Sequence, residues 1–304
     1  MDVTASMVKE LRERTGAGMM DCKKVLVETG GDIEKAIETL REKGLAKAAK
    51  KAGRVASQGL VRLSFLADGT SAAVVEVNSE TDFVAKNDEF IQFVEDLADL
   101  ALEKGDLALD GFMNLPLKSE GTVQETLNAK IAKIGENMNV RRFAKFGQPG
   151  VKYVGYTHGN GKIGVIVGLK TEAPVEEVTV VGKDVAMQIA SMNPKFIDES
   201  QVDPEYLEGE KKILMHQALN EGKPAEIVEK MVVGRLKKEL KETCLLEQKF
   251  VKDGEVTVAQ YVDSVAKTVG KTIQVVEMVR FEVGEGIEKK EENFAEEVAK
   301  QIKG

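Results

Sequence analysis

The sequence predicts an α+β protein: small antiparallel sheets covered by helices, with purely helical segments added. Three observations carry this. Apolar residues recur at helical spacing through the first forty residues, interrupted by glycines. A pair of β-branched runs joined by a glycine-containing turn occurs twice, first at 60–77 and again at 152–168. Each pair is followed by a segment with one apolar helical face.

Residues 1–40 read as a helical bundle. Ser6 caps a first helix, with Met7, Val8 and Leu11 on one face, and Thr15-Gly16-Ala17-Gly18 ends it. Met19, Met20, Lys23, Lys24 and Leu26 restart a helix, and Gly30-Gly31 breaks it. Asp32 caps a third helix with Ile33, Ala36, Ile37 and Leu40 on one side. Residues 41–58 are basic. Lys43, Lys47 and Lys51 repeat at i,i+4, and Lys50 and Arg54 share another row. Such a stripe can sit on phosphates, but no aromatics interleave for base stacking, so the segment reads as a connector.

The first β-rich unit takes 59–147. Leu60–Phe65 and Ala72–Val77 are its strands, Asp88–Leu102 its helix, and 105–122 a loop. A helix from Val123 to Glu136 and a third strand at Met138–Phe146 follow. The same order recurs in 148–198 and 245–284. Lys152–Thr157 pairs with Ile163–Gly168, a helix covers 176–191, and Val275–Phe281 supplies a third strand. Residues 199–244 interrupt this unit as an antiparallel helical hairpin that turns at Gly222-Lys223-Pro224. Val228, Val232, Leu236 and Leu240 step along its returning arm, a stripe that needs something to bury it. Residues 285–304 remain as a C-terminal module.

Composition narrows the function. The chain has 304 residues, 42% hydrophobic and 31% charged, with a formal net charge of −8, so it is not built as a whole to coat nucleic acid. No window approaches the roughly 18 unbroken apolar residues of a membrane span. Asp2 and Glu10 replace the basic start of an export signal. The two cysteines, Cys22 and Cys244, and the two histidines, His158 and His216, lie far apart, without metal-ligand or redox spacing. The expectation is a cytoplasmic protein without metal or cofactor.

Gly159-Asn160-Gly161-Lys162-Ile163-Gly164 matches a dinucleotide fingerprint, but Val165-Ile166-Val167 follows it where a helix must begin. It reads as a hairpin turn, and no GxxxxGK[ST] loop occurs. Glu76, Glu80 and Asp82 form a carboxylate cluster, yet the chain holds 51 acidic residues and no tryptophan to carry a sugar, so hydrolysis finds little support. Cys22 reads as a core thiol. His158, at a hairpin turn, has no nucleophile near it in sequence.

The segment Asn78-Ser79-Glu80-Thr81-Asp82-Phe83-Val84-Ala85-Lys86-Asn87-Asp88 joins a strand to a helix, with Phe83 inside a polar turn. Either Phe83 packs down as a staple, or it points outward as an aromatic anchor. Asp82 either caps a local turn or meets a donor on a partner. From the residues alone both readings stand.

Two motifs shift the balance. Leu11-Arg12-Glu13-Arg14-Thr15-Gly16-Ala17-Gly18-Met19-Met20-Asp21-Cys22-Lys23-Lys24-Val25-Leu26 resembles the N-terminal signature of the elongation factor Ts family. Glu76–Lys86 resembles its second signature, and Thr157-His158-Gly159 and Arg280–Gly286 extend the resemblance along the chain. The resemblance implies a small three-helix (UBA-like) N-terminal domain and a guanine-nucleotide exchange factor, not an enzyme. It would bind elongation factor Tu carrying GDP and speed GDP release during translation. It implies that Leu11, Arg12, Met19 and Met20 lie in or near the surface that grips the GTPase. It further implies that the aspartate-phenylalanine pair falls on Asp82 and Phe83, that Phe83 wedges beside the magnesium and phosphate end of the nucleotide site, and that the flanking Thr81 and Val84 belong to the same partner-binding segment. His158 would contact another domain of the partner, and a helix near Phe294–Ile302 would touch the GTPase. The hairpin supports dimers in some members, so a homodimer or a two-to-two complex stays open. Neither stable nucleic-acid binding nor membrane association is expected.

Overall fold

The computed structural model describes residues 3–15, 17–118, 121–222 and 224–288. The expected helix near Phe294–Ile302, and the final module beyond 288, lie outside the described residues. The fold is α+β, with antiparallel pairing and helices interleaved among the strands. The chain divides into two compact units. Described residues of Met1–Val61, Val75–Phe143 and Glu282–Gly304 form one, and those of Arg62–Val74 and Ala144–Phe281 form the other.

The first unit opens with helices α1 (Ala5–Thr15), α2 (Met19–Glu28) and α3 (Ile33–Lys51). Val8, Leu11, Cys22, Val25, Leu26 and Ala36 meet in a small core. The Asp32 carboxylate caps α3 by accepting from Lys35 N at 3.1 Å. α3 does not stop near Leu40: the basic stretch expected as a connector is helical through Lys51. Two of its lysines pair with acids of α2, Lys43 with Glu28 and Lys47 with Asp21 at 3.0 Å. Two of the three cations in that i,i+4 row are thereby directed at α2.

Strands β1 (Gln58–Phe65), β2 (Ala72–Ser79) and β3 (Met138–Phe146) form a sheet in the order β1-β2-β3. β2 is central and every residue in it is buried, which explains its near-continuous apolar run. β1 comes so close to β2 that a Cβ on Gly59 (φ +134°) would stand 2.1 Å from Val77 O. Only glycine fits there. A single-turn helix, α4 (Asp82–Ala85), leads into α5 (Asp88–Lys104), whose buried face carries Phe90, Phe93, Val94, Leu97, Ala98 and Ala101.

The expected loop 105–122 contains a short helix, α6 (Leu109–Met113). Its purpose is packing: Phe112 is buried with its ring centroid 4.3 Å from that of Phe143. Helix α7 (Val123–Ile134) begins with a capping box, Thr122 and Glu125, and ends at Gly135 in the left-handed conformation.

In the second unit, β4 (Val151–His158) and β5 (Ile163–Lys170) pair antiparallel, with Tyr156 opposite Val165 and His158 opposite Ile163. β5 also pairs with β8 (Gln274–Glu282), giving the order β4-β5-β8. Helix α8 (Val175–Met192) lies on this sheet, and Val165, Val167, Val181, Val185 and Ile189 share one core. Helices α9 (Pro204–Asn220) and α10 (Ala225–Thr243) form the expected hairpin. Leu214, Ala218, Val228 and Val232 pack between its arms, so part of the apolar stripe is buried within the hairpin itself.

A ribbon of β6 (Lys249–Phe250) and β7 (Asp253–Thr257), followed by helix α11 (Val258–Val269), was not foreseen from the sequence. It is pinned by a buried amide. Gln188 donates to Gln248 Oε1 and Lys249 O and accepts from Val251 N. Among the described residues, no helix is long and apolar enough to cross a membrane.

Candidate functional site

β2 ends inside the first unit, and the chain must turn at once to enter α5. Thr81, in extended conformation, caps α4, and its hydroxyl accepts from Val84 N at 3.5 Å. Thr81 thus fills the capping role that Asp82 was one candidate for. The turn closes through Lys86 N to Phe83 O (3.2 Å) and Asn87 N to Val84 O (3.0 Å). Asn87 then caps α5, accepting from Glu89 N at 2.9 Å.

Within this one turn the side chains separate by helical geometry. Val84 (6% exposed) and Ala85 point inward, and Phe83 is 79% exposed. The inward staple is therefore excluded, and the Phe83 ring points outward into solvent. Leaving the ring in water forgoes about 1.5–3 kcal/mol of burial, so the position is not explained by fold stability. Asp82 pairs with Lys86 at 2.6 Å, and the Lys86 ammonium lies 6.0 Å from the Phe83 ring centroid.

The turn is braced from a distant segment. Both oxygens of the Glu136 carboxylate accept from Thr81, from N at 3.0 Å and from Oγ1 at 2.7 Å. The next residue, Asn137, gives its N–H to the Glu80 carboxylate, and its side chain donates to Arg54 O at 2.7 Å. Residues 136–137 thus hold residues 80–81 as a pair. Sequence reading missed Glu136, since a partner 55 residues away leaves no local signal.

The three carboxylates weighed for hydrolysis serve separate ends. Glu76 is fully buried and accepts from Arg142 Nε (2.6 Å), Gly284 N (2.9 Å), Arg141 Nη1 (3.1 Å) and Asn78 Nδ2 (3.1 Å). Burial raises its pKa, but the bonds from Gly284, Asn78 and Arg142 outweigh that and hold it below the usual glutamate value. Glu80 is bound to Asn137 and Arg54, and Asp82 to Lys86. No group of three or more potential metal-ligating side chains gathers among the described residues.

The N-terminal bundle presents a second surface. Met19 (59% exposed) and Met20 (74% exposed) open α2, and Arg12 is exposed on α1. Leu11 differs from this set: it is 0% exposed and belongs to the bundle core. Val27, exposed on α2, was not singled out from the sequence.

In the second unit, His158 ends β4 and is exposed, with its Nδ1 3.0 Å from the Tyr156 hydroxyl. The glycines that follow make the hairpin turn, with Gly159, Asn160 and Gly161 all at positive φ. Strand β5 rather than a helix comes next, so the dinucleotide fingerprint is excluded there.

The sequence pattern of the family described as Elongation factor TS matches residues 80–285. The chain is 60% identical over 304 residues to the elongation factor Ts of Clostridioides difficile (strain 630), covering 99% of each. It is 55% identical over 300 residues to that of Clostridium botulinum (strain Eklund 17B / Type B), again with 99% of each covered. For that of Clostridium perfringens (strain 13 / Type A) the figures are 55% over 298 residues and 98% of each. With the Glu76–Lys86 signature built as a capped turn and the match running nearly end to end, the chain belongs to the elongation factor Ts family.

Proposed function

We propose that this protein is the guanine-nucleotide exchange factor of elongation factor Tu, and that it acts by inserting Phe83 into the partner's nucleotide site during translation elongation. The observation that carries this reading is the outward Phe83 on a capped turn. A rigid aromatic raised from a surface offers large contact area at small entropic cost.

The mechanism is linkage. Magnesium and the phosphate loop hold GDP through many concerted contacts. A wedge that fits only the opened partner stabilises the opened form and lowers GDP affinity. Reciprocity requires GDP to weaken exchange-factor binding by the same factor. Phe83 supplies the apolar insertion, and Asp82 holds the wedge or the displaced segment. Thr81 caps the turn and Val84 roots it in the core. Arg12, Met19 and Met20 supply affinity for the GTPase from the N-terminal bundle, with Leu11 beneath them. His158 touches a second part of the partner. No covalent step enters, and the chain needs no cofactor of its own.

The test is release of a fluorescent GDP analogue from elongation factor Tu, with excess unlabelled GDP present and this protein titrated in. The rate is expected to rise and saturate. A flat rate despite demonstrated binding would reduce the protein to a binder, and the exchange reading would be lost.

A further inference from the structure

We infer that Glu136 is the positioning residue for Phe83, acting as the missing half of the α4 cap; this rests on the wedge reading above. The argument starts from how this chain caps its other helices. At α7, Thr122 accepts from Glu125 N, and the Glu125 carboxylate accepts from Thr122 N at 2.8 Å. At α11, Thr257 and Gln260 make the same reciprocal pair, with Thr257 N donating at 2.8 Å. Both are capping boxes, in which the third helical residue returns an acceptor to the cap.

α4 begins with the same threonine, but its third residue is Val84. Valine has no acceptor to return, and the site demands an apolar side chain because Val84 is buried. Thr81 N would lack its bond. Glu136 provides it from another segment, 3.0 Å from Thr81 N, and also receives the Thr81 hydroxyl at 2.7 Å. That second bond fixes the hydroxyl proton away from the helix and leaves the oxygen lone pair aimed at Val84 N. A helix of one turn cannot sustain itself in water, so its conformation depends on this outside acceptor.

The supporting geometry is specific. Gly135 ends α7 at φ +91°, which swings Glu136 off the helix toward Thr81. Asn137 then locks the same corner through Glu80 and Arg54 O. Both Glu136 oxygens bond to Thr81, so Glu136 acts on Phe83 through Thr81. Its loss leaves the ring present but loosely aimed. A wedge so loosened binds the closed and opened partner with less discrimination, which lowers the rate of release rather than the affinity of the complex.

The experiment is a double-mutant cycle on GDP release, with saturated rate and half-saturating concentration both read. The variants are Phe83→Ala, Glu136→Ala, Glu136→Gln and Phe83→Ala/Glu136→Ala. Loss of one cap lowers the saturated rate of Glu136→Ala roughly fivefold with little change in half-saturation. Glu136→Gln keeps one acceptor for Thr81 N and recovers part of the loss. In the Phe83→Ala background, Glu136→Ala has no further effect. Amide hydrogen exchange of the full chain gives an independent reading: protection at Val84 and Lys86 falls in Glu136→Ala and is partly restored in Glu136→Gln.

If Phe83→Ala is slow while Glu136→Ala releases GDP at the parent rate, the positioning role is overturned and the wedge stands. Equal losses from Glu136→Ala with and without Phe83 also overturn it, because Glu136 then acts elsewhere. If Phe83→Ala itself matches the parent, the wedge reading falls first. Should Glu136→Ala fail to fold, Glu136→Gln and Glu136→Asp decide: intermediate rate and Val84 protection in Glu136→Gln with a larger loss of both in Glu136→Asp, whose shorter side chain cannot hold both bonds to Thr81, support the cap, and parent values in both variants overturn it.

Discussion

Phe83 and Val84 are adjacent in the chain and opposite in environment: one ring stands in solvent while the next side chain is rooted in the core. This separates rate from stability. Phe83→Ala is expected to leave urea unfolding within about 0.5 kcal/mol of the parent while slowing saturated GDP release. Val84→Ala is expected to cost about 1–3 kcal/mol of stability. A Phe83→Ala protein that unfolds as easily as Val84→Ala would mean that the ring packs down in solution.

Glu76 gives a pH dependence whose sign can be worked out. Its pKa is lower in the folded protein than the ordinary glutamate value. The unfolded chain therefore takes up its proton first as pH falls. The stabilisation is fully present above the ordinary value of 4.5 and is lost as pH drops through the lowered folded value. Glu76→Gln leaves Arg141 and Arg142 without their buried anion and is expected to cost about 3–5 kcal/mol at pH 7. Urea titrations of both proteins from pH 7 to pH 3 should show the gap narrowing only at the acid end. A gap independent of pH would show that the carboxylate's charge is not what holds this corner.

Much of the fold was legible because it is written locally. Lys152–Thr157 and Ile163–Gly168 announce strands by β-branching and a glycine turn, and they pair as expected. The third strand at Met138–Phe146 was legible with its bounds. What escaped depends on distant partners. α6 exists because Phe112 finds Phe143, and the β6–β7 ribbon because Gln188 finds three backbone or amide groups. α3 outran its expected end because the extension is packed: Gly44 and Ala48 are buried on it, with Gly44 close against Ala132 of α7. At the site, the motif singled out Phe83, but its direction was undecidable from the residues. The cap that fixes it is Thr81, braced by a glutamate 55 positions away.

Leu11 and Arg12 divide a single motif into support and surface. Leu11 is in the bundle core, and Arg12 is exposed on the same helix. Leu11→Ala is expected to cost the bundle about 2–5 kcal/mol, a large fraction of the stability that a core this small can supply. Arg12→Ala is expected to leave stability unchanged and to raise the half-saturating concentration in GDP release without lowering the saturated rate. Loss of saturated rate in Arg12→Ala would place that arginine in the opening step itself.

The two thiols report on whether the bundle opens separately. Cys22 and Cys244 are both fully buried, and burial pushes each thiol above its usual pKa. Neither is expected to react with a disulfide reagent in the native protein, and both should react in urea. Cys22 packs beside Leu11 in a core of six buried residues. A core that small gains little from burial, so the bundle is expected to open at low cost. Leu11→Ala should therefore speed labelling of Cys22 by at least tenfold, given a loss above about 1.4 kcal/mol, and leave Cys244 untouched. Equal acceleration at both cysteines would mean that the bundle and the rest of the chain unfold as one cooperative body. The loss in Leu11→Ala would then be a loss of the whole protein rather than of its N-terminal surface.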